Sequence, residues 1–348
     1  MKRAVSTSTR LRISSAALID NWRAMGRASG EAAAGAAVKA DGYGLGAVKV
    51  VELLSGAGCQ DFFVASWQEA QEVRAAANGA SLSVLHGIGP DDLTIARDIQ
   101  AKPVLNSAEQ IMRWRQFGDR PCDIMIDTGM NRLGLSLDQI LGGITDGLNV
   151  DIIMSHLACA DEDHIMNVQQ CEAFRTVSSK GLAKRLSLSN SAGIMLGDGW
   201  HFDLTRPGIA LYGGIVRPEL EGLIEQVVTP EAQIIQRRRI QAGDSVGYGA
   251  SFVAKQDIEL ATLSIGYADG YLTGFSNSGM FSVNGIDLPV VGRISMDLVT
   301  VDVSACTALN EGDWVECDYA LPRAALQSGL SQYEILTSMG QRYDRYWV

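Results

Sequence analysis

The 348-residue chain has few of the features that would direct it to a polymer, a membrane or a disulfide scaffold. No local basic run is long enough to supply counter-charge for phosphates, and its 29 Lys and Arg stand against 40 Asp and Glu, for a net charge of −11. Phosphate backbones and anionic lipid surfaces attract the opposite sign, so the balance argues against nucleic-acid and membrane partners. No apolar stretch approaches the ~20 residues of a bilayer span. The segment Met1-Lys-Arg-Ala-Val-Ser-Thr-Ser-Thr-Arg10 has no apolar h-region, which predicts a cytoplasmic protein. Its six cysteines (Cys59, Cys122, Cys159, Cys171, Cys306, Cys317) are scattered without C-x-x-C spacing, so neither a disulfide frame nor a metal site is expected. No G-x-G-x-x-G follows an early strand, which disfavours a doubly wound dinucleotide-binding sheet.

What is present is a recurring unit. Short apolar runs end in polar or glycine residues and are mostly separated by helix-length segments: Ala36–Ala40, Asp61–Ser66, Leu82–Gly87, Lys102–Asn106, Cys122–Asp127, Val150–His156, Arg185–Asn190 and Ile209–Tyr212. Eight such runs predict an α/β fold, a (β/α)8 TIM-type barrel, with helices over Ala47–Ser55, Trp67–Ala77 and Gln169–Lys180. From about Val227 the pattern changes to alternating stretches: Glu231–Arg239, Glu259–Ile265, Met280–Val283, Leu288–Gly292, Leu298–Val303 and Asp313–Cys317, with a hairpin turn at Asn284-Gly285. The expectation is a barrel over 11–226 and a mostly antiparallel β domain over 227–348. Residues 1–10 join the second domain through Ser6–Ile13, and a terminal helix covers Tyr333–Met339.

In Ala36-Ala-Val-Lys39-Ala-Asp-Gly-Tyr43-Gly-Leu-Gly46 a lysine closes an apolar run just before a glycine-rich turn. Lysine is seldom buried without a partner or a covalent purpose, so an amine at this strand end points to a lysine that bonds to a carbonyl group. An isolated Val-Lys-Ala would read instead as a lysine snorkelling at a strand edge. A barrel carries its active site at the carboxyl ends of its strands, and the odd polar residues fall there: Lys39 after the first run, Asp127 and Arg132 after the fifth, His156 at the sixth, Ser191 after the seventh, Arg206 before the eighth. Small hydroxyls and backbone N–H groups after strands seven and eight form the usual phosphate cradle of this fold, which suits Ser191, Gly208 and Ile209.

These motifs together resemble the alanine racemases. The resemblance runs through Val38-Lys39-Ala-Asp-Gly-Tyr43-Gly, Asp127-Thr-Gly-Met-Asn-Arg132-Leu-Gly, Ser155-His156-Leu-Ala, Asn190-Ser-Ala and Arg206-Pro-Gly-Ile-Ala-Leu-Tyr-Gly213. It continues through Val246-Gly-Tyr248-Gly, Ile265-Gly-Tyr267-Ala-Asp-Gly270 and Val291-Gly-Arg-Ile-Ser-Met296-Asp297. The resemblance implies a barrel plus β domain and a head-to-tail homodimer in which each site joins one subunit's barrel to its partner's second domain. It also implies pyridoxal 5'-phosphate as cofactor and a small amino acid as substrate. Lys39 resembles the lysine that holds the cofactor and moves the α-proton on one face, and Tyr248 the tyrosine that does so on the other. Tyr43, Ser191, Gly208 and Ile209 match phosphate-binding positions, His156 a histidine packed on the cofactor ring, and Arg206 the arginine donating to the pyridine nitrogen. Arg132 and the N–H of Met296 match the substrate-carboxylate binders, and Tyr267 a tyrosine at the inner entrance.

One position departs from the family. Many members carry a lysine two residues before the Asp127 equivalent, where it orients the arginine; here the residue is Met125. A broad-specificity or serine racemase on the same scaffold therefore stays open beside alanine racemisation. An amino-acid decarboxylase and a non-catalytic pyridoxal-phosphate carrier are the more distant alternatives, and Arg206, Tyr248 and the second domain argue against them.

Overall fold

The computed structural model describes residues 7–178 and 180–348, and these form two compact units. The first is Leu18–Glu225; the second gathers the described residues up to Ala17 with Gln226–Val348.

In the first unit seven parallel strands follow one another in chain order: Ala36–Ala37, Asp61–Val64, Ser81–Val84, Lys102–Leu105, Cys122–Met125, Val150–Met154 and Arg185–Ser187. Helices lie between most of them, among them Ala47–Ala57, Trp67–Val73 and Ile165–Ser178. Of the helix expected over Gln169–Lys180, residue 179 lies outside the described residues. An eighth strand, Leu204–Thr205, pairs in parallel with Ala33–Ala34, and the Gly35 N–H donates to the Thr205 carbonyl at 3.0 Å. On its other side Asp203 N–H donates to Leu186 O at 3.1 Å and Arg206 N–H to Ser189 O at 2.8 Å, so the ring closes. Among the described residues no edge of this barrel is left open.

The expected eighth strand, Ile209–Tyr212, is instead a 3₁₀ turn. Pro207 removes a ladder donor, and Gly208 at φ −128°, ψ −89° redirects the chain across the strand ends. The first run is also shorter than Ala36–Ala40: the strand stops at Ala37, and from Lys39 the chain enters a tight turn with left-handed backbone at Ala40, Asp41, Gly42 and Tyr43.

The second unit is mostly antiparallel. Its sheet runs in the order Ile286–Pro289, Met280–Val283, Trp314–Cys317, Val228–Ile240, Thr9–Ile13, Asp344–Trp347. The far half of Val228–Ile240 also pairs with Ile258–Leu263, which pairs with Val299–Asp302. Asn284 and Gly285, both at positive φ, turn the hairpin between Val283 and Ile286, as Asn-Gly predicts. The N-terminal strand covers Thr9–Ile13, and the rest of the Ser6–Ile13 expectation includes Ser6, outside the described residues. The last helix is Gln332–Thr337, but it is not terminal. The chain ends in Asp344–Trp347, laid parallel to Thr9–Ile13, and a further helix, Leu321–Ser328, precedes it. A two-residue pair, Ser245–Val246 with Phe252–Val253, brackets Tyr248.

Candidate active site

The mouth of the barrel is assembled from turns that follow the strands. After the first strand the turn is fixed by two carboxylates. Glu69 accepts the Ala40 N–H at 2.7 Å and the Ala65 N–H at 2.6 Å, and Asp41 accepts the Ala47 N–H at 2.8 Å. Glu69 is the third residue of a capping box with Ser66. Ser66-x-x-Glu69 is a helix-start spacing; its second use, tying the lysine turn to the neighbouring strand, depends on the fold. Lys39 is reached by solvent at the mouth. The surrounding protein and the charges of Arg132 and Arg206 hold its ammonium below its ordinary pKa, with Glu69 opposing.

The turn carries Tyr43 back over the strand ends. Its ring stacks on Tyr212 at 4.5 Å between centroids, and Tyr212 donates to the Ala37 carbonyl at 2.9 Å. Tyr43's hydroxyl lies against Gly208, where any Cβ would collide with it. On the facing side Ser191 opens a short helix capped by Asn190, which accepts the Gly193 N–H at 2.8 Å. Ser191 Oγ accepts the N–H groups of Gly208 at 2.9 Å and Ala210 at 3.2 Å. With its oxygen so engaged, the Ser191 O–H is left to donate outward. Ile209 N–H has no acceptor among the described residues. The structure therefore brings Tyr43, Ser191, Gly208 and Ile209 together, but the Gly208 N–H is given to Ser191 rather than held free.

Arg206 follows the eighth strand and is 7% exposed. Its guanidinium donates to Ser187 Oγ, to the Ser155 carbonyl at 2.5 Å and to Leu188 O at 3.4 Å, and lies 5.9 Å from the Phe63 ring centre. All three acceptors are neutral. Burial lowers its pKa to about 10, which leaves it charged at neutral pH. His156 follows the sixth strand, and burial with the charges of Arg206, Arg132 and Lys39 depresses its pKa to about 3, so its imidazole is neutral.

Arg132 sits on the loop after the fifth strand. Asp127 shapes that loop by accepting the N–H groups of Gly129 (2.8 Å), Asn131 (3.1 Å) and Arg132 (3.2 Å). The backbone of Arg132 is thus fixed, while its exposed guanidinium has no hydrogen-bond partner among the described residues. Met125, buried below, offers it none.

Tyr248, Tyr267 and Met296 lie in the other unit. Gly266 carries no side chain where a Cβ would strike the Met296 carbonyl and Asp297 N, so two loops interlock: Tyr267 N–H donates to Ser295 O at 3.1 Å and Ala268 N–H to Met296 O at 3.0 Å. Arg342 clamps them from below, reaching Asp269 at 2.6 and 2.7 Å and Asp297 at 2.6 Å. The clamp was not found from the sequence, because Arg342 lies 45 positions from Asp297 and 73 from Asp269. Tyr248, between Gly247 and Gly249 at positive φ, is 70% exposed, Met296 54% and Tyr267 39%.

A parallel eight-stranded barrel whose strand ends carry an amine, two guanidinium groups and an anion cradle, accompanied by an antiparallel domain, defines a barrel enzyme of the kind that binds a phosphorylated cofactor. The chain belongs to the alanine racemase family: the family's N-terminal domain matches residues 13–216 and its C-terminal domain 227–347. It is 40% identical to an alanine racemase of Rhizobium meliloti (99% of this chain, 98% of that one) and 42% identical to a biosynthetic alanine racemase of Agrobacterium fabrum (97% and 93%). Among solved structures it is similar to the alanine racemase of Bartonella henselae with covalently bound pyridoxal phosphate, at TM-score 0.91 and 36% identity over 99% of this chain and all of that one.

Proposed function

We propose that this chain interconverts L- and D-alanine with pyridoxal 5'-phosphate bound at the barrel mouth. The observation that carries the reading is the Lys39 amine, held below its ordinary pKa beside the Arg206 and Arg132 charges, on a turn whose Tyr43 closes an anion cradle. The donors present fit the cofactor: the hydroxyls of Tyr43 and Ser191 and the N–H of Ile209 suit phosphate oxygens, and Arg206 suits the ring nitrogen. When bound, pyridoxal phosphate supplies an electron-withdrawing ring that acidifies the substrate's α-hydrogen.

The remaining work falls to the chain's own residues. Lys39 anchors the cofactor and takes or returns the α-proton on one face, and its lowered pKa makes the neutral amine accessible near neutral pH. The opposite face needs a second base, the role of Tyr248 of the partner subunit. Its exposure, with that of Met296 and Tyr267, supports a homodimer in which each copy covers the other's barrel mouth. Arg132 receives the substrate carboxylate with the N–H of Met296 of the partner subunit, and Tyr267 narrows the entrance. Arg206, with neutral acceptors and a full positive charge at neutral pH, would donate to the ring nitrogen without giving up its proton, so the ring it holds would be only a moderate electron sink. Neutral His156 would lie beside the bound ring without adding charge. The six unpaired thiols support a reducing, cytoplasmic setting, and no helix among the described residues is long and apolar enough to cross a membrane.

The test is incubation of the purified protein with single L-amino acids followed by chiral chromatography. D-alanine from L-alanine is the expected product. Release of an amine and carbon dioxide, or inversion of serine without alanine, would replace this reading.

A further inference from the structure

Below the mouth, the barrel interior holds a ladder of charges that the proposed reaction does not use. Lys102 pairs with Asp123 at 3.1 Å and with Asp151 at 2.5 Å. Arg185 binds Asp61 through both guanidinium nitrogens, at 2.8 and 2.9 Å, and Asp151 at 3.1 Å. Asp123 is fully buried and also accepts Ser83 Oγ at 2.5 Å and the Ile152 N–H at 3.1 Å. These groups comprise three carboxylates and two cations, leaving one negative charge in excess. A buried excess charge is costly unless an opposite charge lies near.

That opposite charge is Arg206. Residues two apart on a strand face the same way, so Phe63 stands directly above Asp61 and Ser187 directly above Arg185. Phe63 and Ser187 are two of the groups against the Arg206 guanidinium. It therefore lies one pleat, roughly 7 Å, above the ladder, with no carboxylate of its own in contact. We infer that the Asp61–Asp123–Asp151 ladder is the counter-charge of Arg206, and that Asp123 is a positioning residue holding the guanidinium charged and in place where it would meet the ring nitrogen. Of the titratable groups, Lys39 and His156 feel the Arg206 charge from the mouth, and Asp123 opposes from within the barrel the fall that burial imposes on it. The ladder stands independently of any cofactor; its catalytic consequence rests on the function proposed above.

Two variants separate this role from simple packing. Asp123→Asn keeps the volume, leaves one oxygen for the Ile152 N–H and Lys102, turns the amide to donate to Ser83 Oγ, and removes the excess charge. Lys102→Met combined with Asp123→Asn removes both partners and restores the excess, since Asp61 and Asp151 then face Arg185 alone. In apoprotein, Asp123→Asn should melt below wild type at neutral pH, and the deficit should shrink as pH rises toward 10, where Arg206 sheds its uncompensated proton. The double variant should recover part of the loss. In holoprotein, the alkaline limb of the cofactor's visible absorbance should move down by about one pH unit in Asp123→Asn, a tenfold change in proton affinity, and return toward wild type in the double variant. A melting deficit independent of pH, or a double variant worse than the single, makes the ladder mere packing and overturns the inference. Wild-type protein that shows no cofactor band overturns the functional reading instead, and the apoprotein arm still decides the ladder. Should Asp123→Asn fail to fold, Asp151→Asn, nearer solvent, removes the same charge and is read in the same way.

Discussion

Tyr43 lies with its hydroxyl so close against Gly208 that a Cβ at position 208 would overlap the phenol oxygen and stand 3.2 Å from Cζ. The phenol can stand over the strand ends only because residue 208 is bare. Gly208→Ala should displace Tyr43 from the cradle. An overpacking cost of ~1–3 kcal/mol corresponds to about a five- to 150-fold rise in the pyridoxal phosphate needed for half-saturation. Titration of apoprotein followed by visible absorbance measures it. Gly56→Ala, on an open helix face, is the control and should bind as wild type. Equal affinity in both variants would remove the tyrosine from the phosphate site.

Lys39→Ala should abolish the visible band of the purified protein and leave nothing for borohydride to fix. In the wild type, a reduced adduct mapped by mass spectrometry should fall on Lys39, and an adduct on any other lysine would end the assignment.

Tyr248→Phe should lower turnover by ~10²–10⁴-fold, the usual contribution of a positioned acid–base group, with cofactor affinity unchanged. In deuterated solvent this variant should exchange the α-hydrogen of D-alanine, through Lys39, far faster than that of L-alanine. Mixing it with Lys39→Ala should restore activity, because one site of the hybrid dimer has both bases. Equal exchange of the two enantiomers, or no recovery despite subunit exchange, returns Tyr248 to an ordinary surface aromatic.

The neutral His156 makes acid stability a probe of the mouth. Its folded pKa, about 3, lies below the ordinary 6.5, so its contribution is full above pH 6.5 and is lost as pH falls from there toward 3, where only the unfolded chain binds the proton. Apoprotein carrying His156→Gln should lose stability less steeply than wild type across that window in thermal melts. Parallel curves would place the imidazole in solvent.

The Arg342 clamp is expected to act on substrate binding alone. Asp297→Asn loosens the loop bearing Met296 while the Arg342–Asp269 pair remains. KM for alanine should rise by about two- to fivefold, the scale of one exposed ion pair, with kcat and the cofactor spectrum unchanged. A loss in kcat without a change in KM would contradict it.

The sequence by itself determined the class of fold and the positions proposed here for the site. Parallel strands buried on both faces must be short apolar runs, and chemistry on a barrel must sit at their carboxyl ends, so Lys39, Arg132, His156 and Ser191 could be picked out by position. Local chemistry also fixed the Asn284-Gly285 hairpin, whose two positive φ values few other residues adopt. The tertiary structure alone decided the rest. Ile209–Tyr212 is as apolar as a strand, yet it turns into a 3₁₀ segment because Leu204–Thr205 already closes the ring and the chain must cross the mouth. Asp344–Trp347 found its partner in Thr9–Ile13 across the whole length of the chain. Asp61, Lys102, Asp123, Asp151 and Arg185 read singly as ordinary strand-end charges. Only the closure of the barrel turns them inward onto one another, since which charges share a low-dielectric interior depends on strand register, and register between distant segments is not written in any local pattern.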